Sequence, residues 1–325
     1  MLFIPHKHLY ISGTSYVSAD EPDYKEVITD ANSRRRMGRL LKMAVWCGLK
    51  SLDGVPSERV AGIITSTGAG FMKDTISFGS SIFDREETLL NPSPFMQSTF
   101  NTASGYIALI RKIHAYNTTY VQQADGFAAS LVDAAMLLDD AGEGNVALVG
   151  AFDEVTPEVD VIRQRLGLYR VGDGFLPLGE GAAAFLLSAA MTTDVSDFCR
   201  ATEMSAELGG DDGSESDSEP LHEYGGTSSR SLNGTKDGNA ALRFCGLANL
   251  SDLPKCAENP IAELFGINAG VNVISCADHV ESLGAFRSLL PVLLCKLISE
   301  QKIPDGYTAI VDDVNEDGVI VLLHK

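Results

Sequence analysis

Three runs of consecutive apolar residues constrain this chain more than any other feature: RVAGIITST (residues 59–67), NVALVGAFDEV (145–155) and GEGAAAFLLS (179–188). Each has the length and the β-branched or small-residue content of a strand, and none keeps an alternating polar face for water. Strands of this kind must be covered on both sides. HLYISGTSYV (8–17) reads as a strand ahead of them. Between these runs lie segments of helical spacing: RRRMGRLLKMAVWCGLKSL (34–52), with a basic first turn, and NTASGYIALIRKIHAY (101–116). Strands alternating with helices predict an α/β fold with largely parallel, buried sheet. A polar connector is expected after GAGF (68–71), and Pro92 and Pro94 argue against a helix in LNPSPFMQ.

The second half repeats this grammar. AGVNVISCADHVESLGAFRSLLPVLLCKLI (269–298) reads as a strand, a loop bearing His279 and a long apolar helix interrupted at Pro291. YTAIVDDVNEDGVIVLLHK (307–325) reads as two strands around an NEDG hairpin turn. The echo predicts two pseudo-symmetric halves, residues 1–188 and a shorter 189–325. Between them, LGGDDGSESDSEPLHEYGGTSSR (208–230) is rich in glycine, serine and acid, and is expected to be an acidic surface loop.

At 325 residues and 45% hydrophobic, the chain can bury a large core. Its net charge of −19 argues against gripping a nucleic-acid backbone, which requires clustered Lys and Arg. Six scattered cysteines with no C-x-x-C pair fit reduced thiols in or near the core. No apolar run approaches the roughly 18–20 residues of a membrane span, and MLFIPHKHLY is not a signal sequence, so a cytoplasmic location is expected. No metal or other cofactor is expected. The six histidines lack H-x-x-x-H spacing, and GTKDGN has too few glycines for a phosphate cradle. DVNEDG begins like a calcium loop, but the bidentate Glu required at its twelfth position is His324.

One stretch points to chemistry. TYVQQADGFAASLVDAAMLL (119–138) is a strand, a sharp turn and an apolar helix. Such an elbow presents a side chain at the sheet's end, where the helix N-terminus favours a thiolate and backbone N–H groups can hold an oxyanion. The elbow residues are Gln123, Ala124, Asp125 and Gly126, with neither Cys nor Ser among them. A carboxamide can donate and accept hydrogen bonds but cannot be the covalent nucleophile.

Taken in order, LNPSPFMQSTFNTASGYIALIRKIHAYNTTYVQQADGFAASLVDAAMLL, NVALVGAFDEVTP and LGEGAAAFLLS resemble the β-ketoacyl synthase (condensing enzyme) family. That resemblance implies a thiolase-like layered αβαβα fold. The family elbow reads C-x-x-G, which puts Gln123 at the position of the acyl-accepting Cys; a one-residue slip would put Ala124 there, and either way the nucleophile is absent. The first family His, of an H-G-T motif, falls on Asn233 in LNGTKDG, and the second falls on His279. The family lysine five residues ahead of that His is Ile274, and VDDVNEDG replaces the terminal glycine-rich loop.

The pattern is similar to chain-length factors, in which glutamine takes the cysteine's place. It implies a ketosynthase-like, non-condensing subunit supporting acyl-chain elongation in fatty acid, polyketide or aryl-polyene-type biosynthesis. The expected partners are a Cys-bearing ketosynthase, in a heterodimer, and an acyl carrier protein. Phe95, Met96, Phe100 and Phe127 are the candidate liners of the interface or acyl tunnel, with core packing the alternative for each. Two other readings stay open: a malonyl-thioester decarboxylase of the Gln-for-Cys type, and an acyl-thioester-binding homodimeric scaffold.

Overall fold

A computed structural model describes residues 1–18, 20–121, 126–189, 242–255, 257–314 and 318–325. Gln123, Ala124, Asp125, Asn233 and the acidic stretch 208–230 lie outside the described residues. The strands are β1 (Leu2–Phe3), β2 (Leu9–Val17), β3 (Val60–Thr67), β4 (Tyr116–Val121), β5 (Val146–Asp153), β6 (Arg170–Val171), β7 (Gly174–Phe175), β8 (Gly181–Ser188), β9 (Arg243–Asn249), β10 (Val271–Ser275), β11 (Tyr307–Val311) and β12 (Val319–His324). The helices are α1 (Ala31–Arg36), α2 (Arg39–Ser51), α3 (Met72–Asp84), α4 (Pro92–Gln97), α5 (Thr102–Arg111), α6 (Gly126–Asp140), α7 (Pro157–Leu166), α8 (Pro260–Leu264), α9 (Val280–Leu283) and α10 (Leu289–Ser299).

The main sheet runs β10-β11-β12-β9-β2-β8-β5-β3-β4. Its two wings repeat one pattern. β3 and β5 are parallel, β5 and β8 antiparallel, and β8 and β2 antiparallel. β10 and β11 are parallel, β11 and β12 antiparallel, and β12 and β9 antiparallel. The wings join where β2 meets β9 over two residue pairs, Leu9 with Phe244 and Tyr10 with Arg243. The second wing has no counterpart of β4 among the described residues.

Alternation along each strand builds the layers. Ala182, Ala184 and Leu186 of β8 face a core shared with α2 and α5. Ala183, Phe185 and Leu187 face a second core shared with α6 and α10. That second core also takes Val319, Val321 and Leu323 of β12, while Ile320 and Leu322 turn to a third core against α8. Helices α6 and α10 therefore form a central layer between two sheet wings, each with an outer helix layer. This is the αβαβα arrangement.

Several expectations are corrected. The sheet is mixed rather than largely parallel. β11 pairs antiparallel with β12, with no helix between them among the described residues, and α7 lies beyond the end of β5 instead of crossing a sheet face, so neither link makes a parallel crossover. The prolines do not prevent a helix: α4 starts on Pro92, where the missing N–H is an orphan anyway, behind an Asn91 cap. The supposed polar connector contains α3. The basic segment is two helices, because Gly38 is extended (φ −60°, ψ 167°) and caps α2. Pro291 sits in the first turn of α10 and interrupts nothing; the break comes earlier, at Gly284 (φ 78°).

Gln97 locks the break between α1 and α2 at Gly38. It is 5% exposed, its Oε1 accepts from Gly38 N at 2.9 Å, and its Nε2 donates to Arg36 O. Gln97→Ala leaves both backbone groups without that partner and is expected to lower unfolding stability by about 1–3 kcal/mol, read from chemical denaturation. A change below a few tenths would mean that water replaces the carboxamide.

Candidate functional site

The elbow is met at both described ends. β4 leads into it and α6 leaves it, with Gly126 and Phe127 buried at the helix start. β3 sits beside β4 in parallel register, Thr67 opposite Val121, so the C-terminal ends of β3, β4 and β5 open on one side of the sheet. In parallel sheets this end is where ligands gather.

A cavity of about 360 Å³ lies there. This falls within the roughly 300–1,000 Å³ of small-molecule sites. Met72, Phe100, Val155, Val159, Ile162 and Leu166 form apolar walls. Asp153, Glu154, Tyr169 and Arg287 supply a polar floor. Buried Asp153, 5% exposed, organises that floor. Its Oδ1 accepts from Thr67 Oγ1 (3.1 Å), Gly68 N (2.8 Å) and Ala69 N (3.2 Å), and its Oδ2 from Ser288 Oγ (2.6 Å).

Burial raises the Asp153 carboxyl above the usual range, against the lowering effect of these hydrogen bonds. Burial also raises Glu154, which accepts from Lys73 N at 2.9 Å, and raises Tyr169. Arg163, on α7, is tied to Asp160 (2.6 Å) and donates to Leu176 O (2.6 Å), with Phe175 under its guanidinium. Arg287 lies over the Tyr169 ring at 5.8 Å. No Cys or Ser lines the cavity among the described residues. The arrangement suits holding an apolar chain.

The sequence candidates scatter around this cavity. Phe100 lines it, and a side chain at Gly70 would strike the Phe100 ring at 2.4 Å. Phe95 and Met96 are 54% and 61% exposed on α4. Phe127 is buried in the core with Phe185 edge-on at 6.0 Å. His279 closes a 3-10 turn held by Asp313, which accepts from Ser275 Oγ (2.5 Å) and Ala277 N (2.9 Å). It does not line the cavity. Glu300, just beyond α10, is held low mainly by its hydrogen bond with Lys302, with His279 a lesser contributor, so His279 lies within electrostatic reach of that helix end.

Sequence reasoning read NVALVGAFDEV as a buried strand and missed Asp153 as the organiser of the cavity floor. A charged residue closing a strand that is otherwise buried throughout was the available signal. Thr67 and Ser288, 86 and 135 residues from it, carried none.

The beta-ketoacyl synthase, N-terminal domain, family model matches residues 14–203, more than half of the chain. The chain belongs to the β-ketoacyl synthase family. No curated protein matches it. Among solved structures, the ishigamide ketosynthase/chain length factor is similar at TM-score 0.62 and 14% identity, over 98% of this chain and 99% of that one. A type II PKS acyl-carrier protein in complex with its ketosynthase bound to the hexaketide gives a TM-score of 0.62 at 14% identity, with coverage of 98% and 99%. A beta-ketoacyl synthase from Burkholderia phymatum STM815 gives 0.60 at 11% identity, over 98% of each chain. At these identities the likeness is one of fold, and it agrees with the thiolase-like layers. Among the described residues no helix is long and apolar enough to cross a membrane.

Proposed function

We propose that this β-ketoacyl synthase family member is a non-condensing, chain-length-factor-type subunit. It pairs with a Cys-bearing ketosynthase and supports acyl-chain elongation fed by an acyl carrier protein. The observation that carries this reading is the β4 edge. Among the described residues β4 is an outer strand of the sheet, with no Pro and no charged residue within it to blunt it. Exposed apolar side chains lie on β4 and on the elements linked to it: Tyr116 and Val121 on β4, Leu109 (74% exposed) and Ile110 on α5, whose Ser104 bonds to Asn117 and Thr119 of β4, Phe100 ahead of α5, and Met96 on α4, whose carbonyl accepts from Thr102 of α5. Single exposed apolar residues are ordinary, but a group of them on adjoining elements at an open strand edge supports a protein interface.

The elbow that follows this strand holds Gln123 where the family carries its nucleophile, so the chain keeps the platform without the acyl acceptor. The apolar cavity, one wall of which is the interface-side Phe100, supports a role in guiding the chain. Likeness in fold to a ketosynthase/chain length factor agrees with this reading.

The test is co-expression with a Cys-bearing ketosynthase from the same gene neighbourhood, followed by incubation of the purified protein with malonyl carrier protein. The expected result is a stable heterodimer and no acetyl-carrier formation by this chain alone. Carbon dioxide release that Gln123→Ala abolishes would replace this reading with the decarboxylase.

A further inference from the structure

Helix α7 is inverted for an element at the protein surface. Its one buried side chain is Arg163, whereas Ile162 and Leu166 are 45% and 59% exposed. A surface helix ordinarily turns apolar residues to the core and charges to water. Arg163 explains the inversion. Its guanidinium donates to Asp160 Oδ1 and to Leu176 O, each at 2.6 Å, and lies over the Phe175 ring at 5.1 Å. The buried side of α7 therefore fixes the helix to the segment ahead of β8. Val159, Ile162 and Leu166 recur at helical spacing and share one face, which forms a bank of the cavity. Ile162, Leu166 and Val155 ahead of the helix are thus cavity wall and protein surface at once, so the cavity is open along α7. Asp153, Gly179 and Phe286, elsewhere on its wall, are buried. Among the described residues the remaining exposed wall residue is Phe100, over the turn after β3. In the sheet order β5-β3-β4, the strand that leads into α7 lies on the far side of β3 from β4.

We propose that the cavity is open-ended: an acyl chain that enters past Phe100 runs out over Ile162 and Leu166, so the site accepts chains whose far end carries a bulky aromatic group.

This rests on the acyl-guiding role proposed for the cavity. The bank on α7 is continuous with the apolar walls, so a chain that fills the cavity goes on removing apolar surface from water as it crosses Ile162 and Leu166. A closed end would refuse an added ring, because overpacking a close-packed interior forces side chains off their rotamers. An end that opens on solvent sets no such limit, and the ring comes to rest outside the cavity.

The experiment is calorimetric titration of the full chain with hexanoyl-pantetheine, dodecanoyl-pantetheine and a dodecanoyl-pantetheine bearing pyrene on its terminal carbon. The pyrene-ended chain is expected to bind within about threefold of the plain dodecanoyl chain, with its bound pyrene still quenched by iodide. A loss of more than about tenfold on adding the pyrene means a closed end and overturns the inference, while binding of the plain chain leaves the guiding role standing. Failure of dodecanoyl-pantetheine itself to bind removes the guiding role, and the inference with it. Ile162→Asp sets a carboxylate on the bank and is expected to weaken both dodecanoyl probes by about tenfold or more. The hexanoyl probe, which ends inside the cavity of about 360 Å³, is expected to lose clearly less. Equal losses for the short and long chains mean that the chain does not leave across α7, and overturn the inference. Leu166→Asp, at a more exposed position, gives the same reading if Ile162→Asp folds poorly.

Discussion

Gly179→Ala is expected to be among the most damaging single substitutions in this chain. A Cβ at Gly179 would lie 1.9 Å from Leu283 O and 2.8 Å from Gly284 Cα, and one at Gly284 would lie 2.3 Å from Gly179 Cα. These are backbone atoms, so no side chain can swing away. The two segments are bound to each other: Gly179 N donates to Ala285 O (3.2 Å) and Ala285 N donates to Pro177 O (2.7 Å). This crossing joins the strand entry of the first wing to the helix entry of the second, beside the cavity. Overpacking against immovable backbone is expected to cost about 3 kcal/mol or more. By the usual scaling of unfolding entropy with chain length this lowers Tm by roughly 4–5 °C or more. Gly105→Ala, on α5 with nothing within 4 Å of its Cβ, is the matched control and is expected to be neutral or slightly stabilising. Equal melting temperatures for Gly179→Ala and Gly105→Ala would show that the two backbones do not approach as described.

A charge on the β4 face is expected to abolish partnering without unfolding the chain. Leu109 and Met96 are 74% and 61% exposed, so Leu109→Asp and Met96→Asp remove little from the chain's own core. In a subunit interface each would bury an unpaired carboxylate. Loss of a central apolar anchor costs about 2–4 kcal/mol, a roughly 30- to 1,000-fold weakening of the ketosynthase complex. Val273→Asp is the control. It lies 58% exposed on β10, the opposite edge of the sheet, and should leave the complex intact. Undiminished co-purification of the Leu109→Asp chain with its ketosynthase would remove the β4 face from the proposal.

How far the sequence could be read depended on whether a feature was local. RVAGIITST, NVALVGAFDEV and GEGAAAFLLS became β3, β5 and β8 because strand-length apolar runs have few other solutions. The strand and the helix that flank the elbow, β4 and α6, were legible for the same reason, since β-branched residues and an Ala/Leu run lie on either side of it. Pro92 was misread because the cost of proline depends on its place in a helix, and only the position of Asn91 as cap made that place the first turn. Phe95, Met96, Phe100 and Phe127 were indistinguishable as apolar residues near the elbow. Packing separated them, burying Phe127 on Phe185 while α4 left Phe95 and Met96 in the open.

The sequence by itself determined the α/β class and the strand and helix on either side of the elbow. Both follow from periodicity and residue chemistry within short windows. Only the tertiary structure decided that β4 is an outer strand among the described residues, that His279 lies away from the cavity, and that Asp153 collects donors from segments up to 135 residues distant. The reason is physical. Which strand is left unpaired, and which hydroxyl meets a buried carboxylate, is fixed by how two wings pack around a common helix layer, and nothing in a local window records that packing.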